Sequence, residues 1–149
     1  MTRAQQLCTF VVGDMLFGIE VERVQEVSVL QGMTPVPLAP AAIAGLINLR
    51  GEILTAIDLR VRLGLERSDP AAVAMNVVIR SEQGNVGLVV DDIGDMLEVR
   101  DDSFEPPPET LDRISRELIR GTYKLSDRLV LVLDTERALA LDEQSEPLA

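Results

Sequence analysis

The sequence predicts an all-β fold with a few short helices, arranged as two small β-barrels on one common hydrophobic core. Three observations carry this. Short apolar runs rich in Val, Leu and Ile alternate with Gly- and Pro-containing turns. Hydrophobic residues make up 46% of the chain, yet there is one Tyr, three Phe and no Trp. The core is therefore aliphatic, a composition that suits half-buried strands. The chain also repeats itself. Its 149 residues fit one domain or two interlocked halves, long enough to bury about 68–70% of the unfolded surface.

In chain order, "CTFVVGDMLFGIEV" (8–21) reads as two strands around a turn at Gly13-Asp14. "RVQEVSVL" (23–30) alternates Val24, Glu26 and Ser28 against Gln25, Val27 and Val29, and fits a strand or a short helical turn. In "MTPVPLAPAAIAG" (33–45), Pro35, Pro37 and Pro40 exclude a central strand. Pro40 can open a short helix over Ala41–Ala44 that Gly45 stops. "GLINLRGEILTAIDLR" (45–60) is apolar but carries Asn48, Arg50 and Glu52 on one side, around Gly51. "NVVIR" (76–80), "NVGLVVDDI" (85–93) and "RLVLVLD" (128–134) are further strands, with a turn at Glu82–Asn85. "PPPETLDRISRELIRG" (106–121) begins with three prolines, which block helix and sheet. From Glu109 a short helix is expected, with Leu111, Ile114, Leu118 and Ile119 on one face. A final short helix in "TERALALDEQSEPLA" gives way to a frayed acidic tail at 142–149.

The repeat runs as follows. "FGIEVERVQEV" (17–27) matches "VGLVVDDIGDM" (86–96) at an offset of 69, pairing Gly18 with Gly87 and Glu26 with Asp95. "LRG" (49–51) matches "IRG" (119–121) at 70. "ILTAIDLRVRL" (53–63) matches "LVLVLDTERAL" (129–139), with extra residues of the second copy assigned to "TYKLSD". A single domain over 1–149 is expected, built of intertwined halves at about 15–80 and 81–140, the N-terminal strand contributing across. Halves this small need each other's apolar surface.

Composition excludes several functions. A net charge of −11 repels phosphate backbones and anionic membranes, so neither nucleic acid nor membrane insertion is expected. With no histidine, Ser–His–Asp, Cys–His and His-ligated zinc chemistry are impossible. No GxxxxGK[ST] or GxGxxG stretch exists. The one cysteine, Cys8, allows no internal disulfide and is expected as a buried thiol. "MTRAQQL" has no apolar stretch long enough for a signal peptide, and no window reaches 18 apolar residues; a soluble cytoplasmic protein is expected. Nine acidic residues lie from Asp91 to Asp112, but without an ion-binding loop pattern, and read as a solvated face. Asp58 and Asp134, at matching strand ends, read as helix N-caps, and Met33, Met75 and Met96 as core filling. No catalytic residue, metal site or cofactor is expected.

Arg50 stands apart. A structural Arg paired with Glu26 or Glu52 and an exposed partner-binding Arg fit its place equally well.

"VQEV" (24–27), "GLINLRG" (45–51), "AIDLRVRLG" (56–64), "VGLVVDDIGDML" (86–97) and "DRLVLVLD" (127–134), in this order, resemble the CheW family of chemotaxis coupling proteins over about Leu7 to Leu141. The resemblance implies two five-stranded SH3-like β-barrels sharing a hydrophobic core. It also implies a non-catalytic adaptor that couples chemoreceptors (methyl-accepting chemotaxis proteins) to the histidine kinase CheA. One surface would bind the receptor's cytoplasmic helical tip and others the CheA regulatory domain. The protein would be monomeric alone, assembled with partners into rings or arrays, and recruited to membrane-associated receptor arrays. The matching receptor-binding positions are Val24, Glu26, Gly45, Asn48, Arg50, Val77 and Val78; no kinase-binding residue carries over. A CheW-type scaffold of a non-motility pathway, serving second-messenger or pilus control, fits the same residues. A small carboxylate-based enzyme and a homo-oligomeric structural protein are the readings from other classes.

Overall fold

The computed structural model describes residues 4–67, 72–82 and 84–140. The acidic tail at 142–149 lies outside them. In chain order the elements are β1 (Ala4–Val12), β2 (Met15–Glu20), β3 (Val24–Val29), β4 (Ile43–Leu49), β5 (Glu52–Asp58), α1 (Leu59–Arg62), β6 (Met75–Ser81), β7 (Gly84–Val90), β8 (Asp92–Arg100), α2 (Arg113–Leu118), β9 (Ile119–Lys124), β10 (Leu129–Leu133) and α3 (Thr135–Leu139). They form two five-stranded sheets, β8-β1-β2-β10-β9 and β3-β6-β7-β5-β4. The all-β expectation with few short helices holds, and the sheets pack as SH3-like folds, with their edge strands left unpaired with each other.

The two strand orders are one order. Moving five strands along the chain turns the first sheet into the second. Each sheet thus takes two strands from one repeat and three from the other. The registers coincide too. Phe17 pairs with Leu131 and Gly18 with Val132, as Val86 pairs with Thr55 and Gly87 with Ala56. The offset of 69 relates one strand of each pair and 76 the other.

This exchange places β2 with the C-terminal strands and β7 with β3, β5 and β6, so halves divided at about 80/81 do not correspond to the two sheets. The cause is the parallel pairs β2–β10 and β5–β7. Parallel neighbours need long crossovers, which adjacency in sequence does not reveal.

The match of 49–51 to 119–121 is also corrected. Gly45 pairs with Ala56 and Gly121 with Val132, each beside a bulge, so Gly121 is the counterpart of Gly45. Isolated bridges Thr34↔Leu46 and Glu105↔Thr122 recur at the same place. A Cβ on Gly45 would meet the Thr34 carbonyl oxygen at 2.6 Å, and one on Gly121 the Glu105 carbonyl oxygen at 2.5 Å. Both glycines exist for this close approach. The extra residues of the second copy lie between Glu105 and β9, where α2 sits, and not in "TYKLSD".

The main core lies between the sheets. Phe10, Val12, Phe17 and Ile19 of the first meet Ile57, Val77, Ile79, Leu88 and Val90 of the second, under Leu59, Leu63, Leu118 and Ala138 from the helices. Phe10 and Phe17 face each other across β1–β2 with ring centroids 5.8 Å apart. A second cluster fills the first sheet alone: Leu7, Leu16, Val99, Tyr123, Val130 and Val132.

Several local expectations change. No helix forms over 41–44; Ile43 donates to the Pro40 carbonyl at 2.9 Å and starts β4. Its ladder with β5 satisfies more backbone groups than one helical turn could. "RVQEVSVL" resolves as β3. The helix expected from Glu109 is α2, capped by Asp112 accepting from Ser115 N–H. It buries Leu118, but Ile114 is exposed and Ile119 opens β9. "NVGLVVDDI" breaks at Asp91, and the first acidic residues beyond it, Asp92, Asp95 and Glu98, lie exposed on strand β8, paired with β1. Met75 packs on the core, but Met33 and Met96 are exposed. Cys8 is half-buried rather than buried. Asp58 and Asp134 do cap α1 and α3, accepting from the N–H groups of Arg60 and Arg137 at 3.0 and 3.1 Å.

Candidate functional site

The second sheet presents two free edges, β3 and β4. The β4–β5 hairpin turns through two residues, Arg50 at φ 54° and Gly51 at φ 88°. Such turns favour Asn-Gly, because the first position also needs a positive φ. An L-residue with a Cβ costs about 1–2 kcal/mol there. Arg50 is thus held in a conformation that its backbone disfavours, while Asn48 Oδ1 braces the turn by accepting from Gly51 N–H at 3.0 Å.

The Arg50 side chain crosses to β3 and donates to both Glu26 oxygens, at 2.6 and 3.2 Å. Of the two partners left open, Glu26 is the one; Glu52 instead meets Asn85 Nδ2 at 3.5 Å. The pair joins the two edge strands of one sheet. Arg50 remains 77% exposed while Glu26 is 18% exposed, so most of the guanidinium still faces outward. An exposed pair of this kind contributes about 0.2–1 kcal/mol, which does not offset the turn strain.

Of the seven positions expected at a receptor surface, the structure brings Glu26, Asn48 and Arg50 together at this end of the sheet. Val24 is half-buried and packs on the shared core. Gly45, Val77 and Val78 are buried. The last two sit on β6, paired side by side with Val27 and Glu26 of β3, and present no surface of their own. Val27 and Val29 do face outward, at 37% and 50% exposure. Sequence alternation along β3 already separates them from Val24.

Two features escaped the sequence reading. Arg60 of α1 donates to both Asp91 oxygens, at 2.8 and 2.7 Å, and Asp91 also accepts from Gly13 N–H at 2.7 Å. The bond to Asp91 raises the Arg60 guanidinium above its ordinary value. This ties α1 to the β1–β2 turn and the β7–β8 junction. The second is Asn76, 1% exposed on β6, whose Oδ1 has no hydrogen-bond partner among the described residues. Its signal lay in the repeat, where the counterpart of Asn76 is Leu7.

Among the described residues no group of three or more Cys, Asp or Glu could hold a metal ion. No described helix is long and apolar enough to cross a membrane. The chain is thus a duplicated SH3-like β protein whose second sheet carries a charged pair across its free seam.

Comparison gives the particular family. The CheW-like domain model matches residues 6–143. A probable chemotaxis protein CheW of Rhizobium etli is 34% identical over 142 residues, covering 95% of this chain and 91% of that protein. Chemotaxis protein CheW of Klebsiella aerogenes is 30% identical over 144 residues, covering 97% and 87%. The crystal structure of scaffolding protein TtCheW from Thermoanaerobacter tengcongensis superposes with a TM-score of 0.84 at 25% identity, covering 99% of this chain and 100% of that one. The chain belongs to the CheW-like family of chemotaxis scaffold and coupling proteins.

Proposed function

We propose that this chain is a non-catalytic adaptor coupling the cytoplasmic tips of chemoreceptors to the regulatory domain of the histidine kinase CheA. It acts in the cytoplasm, at membrane-associated receptor arrays. The observation that carries the reading is Arg50. A positive-φ turn position holds a long, charged, mostly exposed side chain, where turn chemistry alone favours Asn. Backbone strain of this kind gathers at binding sites. Glu26 and Asn48 lie beside it, and Val27 and Val29 are exposed on the other face of β3, so this end of the sheet offers a partner both charged and apolar contacts. That combination suits an amphipathic helix laid in a groove. Family membership supports the partner classes.

The test is co-purification of the purified chain with a kinase regulatory domain and a receptor tip fragment, wild type against Arg50→Asn. The reading expects a complex that forms only on mixing and weakens at least tenfold in the variant. No complex with the wild type would overturn it; equal recovery of both proteins would take Arg50 out of the binding surface and leave the coupling role standing. A scaffold of a non-motility chemosensory pathway would use the same surface; the kinase and receptor encoded beside the gene distinguish the two.

A further inference from the structure

Leu38 is 96% exposed, the most of any large apolar side chain among the described residues. It sits third in a turn closed by Ala39 N–H, which donates to the Val36 carbonyl at 3.4 Å, and its φ is 63°. Pro37 before it has a fixed negative φ, so this is the turn type that favours Gly at the third position. Leu38 and Arg50 are the two non-glycine residues at positive φ among the described residues. The loop that carries Leu38 is fastened at both ends. Thr34 exchanges backbone hydrogen bonds with Leu46 at 2.9 and 2.8 Å, Ile43 N–H donates to the Pro40 carbonyl, and Arg67 Nη2 donates to the Ala41 carbonyl at 2.8 Å. The leucine thus stands on a rigid support that holds a disfavoured backbone in place. Thr34 pairs antiparallel with Leu46, so the chain beyond it runs to the start of β4, whereas Arg50 follows the end of β4. With seven residues in the strand, at about 3.3 Å each, the two ends lie about 20 Å apart. From Val27 to Leu49 the chain carries no charged residue, although 26% of the whole is charged. Every residue from Gln31 to Leu38 in that run is exposed.

We propose that Leu38 is a hydrophobic anchor that enters an uncharged aliphatic pocket on a second protein partner, while Arg50 holds the first partner from the other end of β4. The proposal rests on the adaptor reading above: with the receptor helix at the Arg50 end, the partner at Leu38 is the kinase regulatory domain. The missing charge selects the occupant. Depletion of charged residues marks the centre of a protein interface rather than a surface left in water. A charged group brought against Leu38 would lose its hydration without gaining a partner, so the surface that covers it is apolar and uncharged. A net charge of −11 disfavours an anionic lipid surface in that role. A coupling protein needs two sites that do not overlap. These two differ in place and in chemistry, one an ion pair and the other a lone aliphatic side chain, each raised on a strained turn.

The experiment titrates the full chain with the kinase regulatory domain and, separately, with the receptor tip fragment, comparing wild type, Leu38→Asn, Leu38→Met and Arg50→Asn, each with its melting temperature. Asn tolerates a positive φ better than Leu, so Leu38→Asn should melt at or above the wild-type temperature. It should bind the kinase domain at least tenfold more weakly and the receptor fragment as wild type does. Leu38→Met keeps the strain and the apolar bulk, and should bind the kinase domain within about threefold of wild type. Arg50→Asn should show the reverse pattern, losing the receptor fragment and keeping the kinase domain. A lower melting temperature in Leu38→Asn with binding intact would make Leu38 a structural residue and overturn the proposal. So would loss of both fragments together, or self-association of the wild type that Leu38→Asn abolishes, which would make a second copy the occupant. If Leu38→Asn binds the kinase domain as wild type does, the adaptor reading stands and the anchor falls. If the wild type binds neither fragment, the adaptor reading falls and the anchor's partner with it.

Discussion

Arg50, at the tip of the β4–β5 turn, holds Glu26 of β3 through two hydrogen bonds and so links the two free edges of one sheet. In the first sheet, the position matching Glu26 is Asp95 on β8, and no ion pair involving it is found among the described residues. The link is therefore an addition to one copy of a duplicated plan.

Arg50→Asn separates fold from binding. Asn tolerates the positive φ of the turn better than Arg, while the lost exposed pair is worth about 0.2–1 kcal/mol. The melting temperature should stay within about 2–4 °C of wild type, the shift of about 1 kcal/mol in a chain this size, and partner recovery should fall at least tenfold. A large drop in a calorimetric scan, with partner recovery intact, would make Arg50 a structural residue.

Gly45→Ala and Gly121→Ala test the corrected repeat. Each new Cβ meets a carbonyl oxygen of an isolated bridge, at 2.6 and 2.5 Å. Overpacking of this kind costs about 1–3 kcal/mol, so both variants should lose stability in urea unfolding, Gly121→Ala the more because its Cβ also overlaps the Phe104 ring. At Gly51, where no atom lies within 4 Å, Ala meets only the positive φ. A Gly121→Ala variant as stable as wild type would break the equivalence.

Asp91→Asn removes the charge that binds Arg60 and Gly13 N–H. Hydrogen bonds to charged groups contribute about 1.5–3 kcal/mol each. The variant should unfold at lower denaturant with an unchanged slope, yet still bind partners when folded, since Asp91 lies away from Arg50 in the bonding network. Unchanged stability would show that the tie is incidental.

Cys8 gives a pH prediction. Burial raises its thiol above the ordinary value. A raised folded value favours the neutral form, so this contribution to stability is complete below the unfolded thiol value of about 8.5. It is lost as pH climbs through the folded value. Thiol labelling at pH 8 should run at least tenfold slower in the native protein than in denaturant, and stability should fall above that pH. Equal labelling rates would refute it.

The sequence by itself determined the strand character, the aliphatic core, the duplication and both capping aspartates. Each of these is written in residues a few positions apart, where alternation and local hydrogen bonding act. It also named Glu26 and Arg50 as partners to consider. Only the tertiary structure decided which strands share a sheet, because β2–β10 and β5–β7 pair in parallel across long stretches of chain. It turned Pro40–Ala44 from helix to turn, since the β5 ladder offers more hydrogen bonds. It moved the counterpart of Gly121 from Gly51 to Gly45, because the bridging strand and not the local triplet sets that position. And it put Leu38 and Arg50, both at positive φ, at opposite ends of β4, a placement set by the bridge from Thr34 to Leu46 and by the β4–β5 turn rather than by either residue's neighbours in sequence.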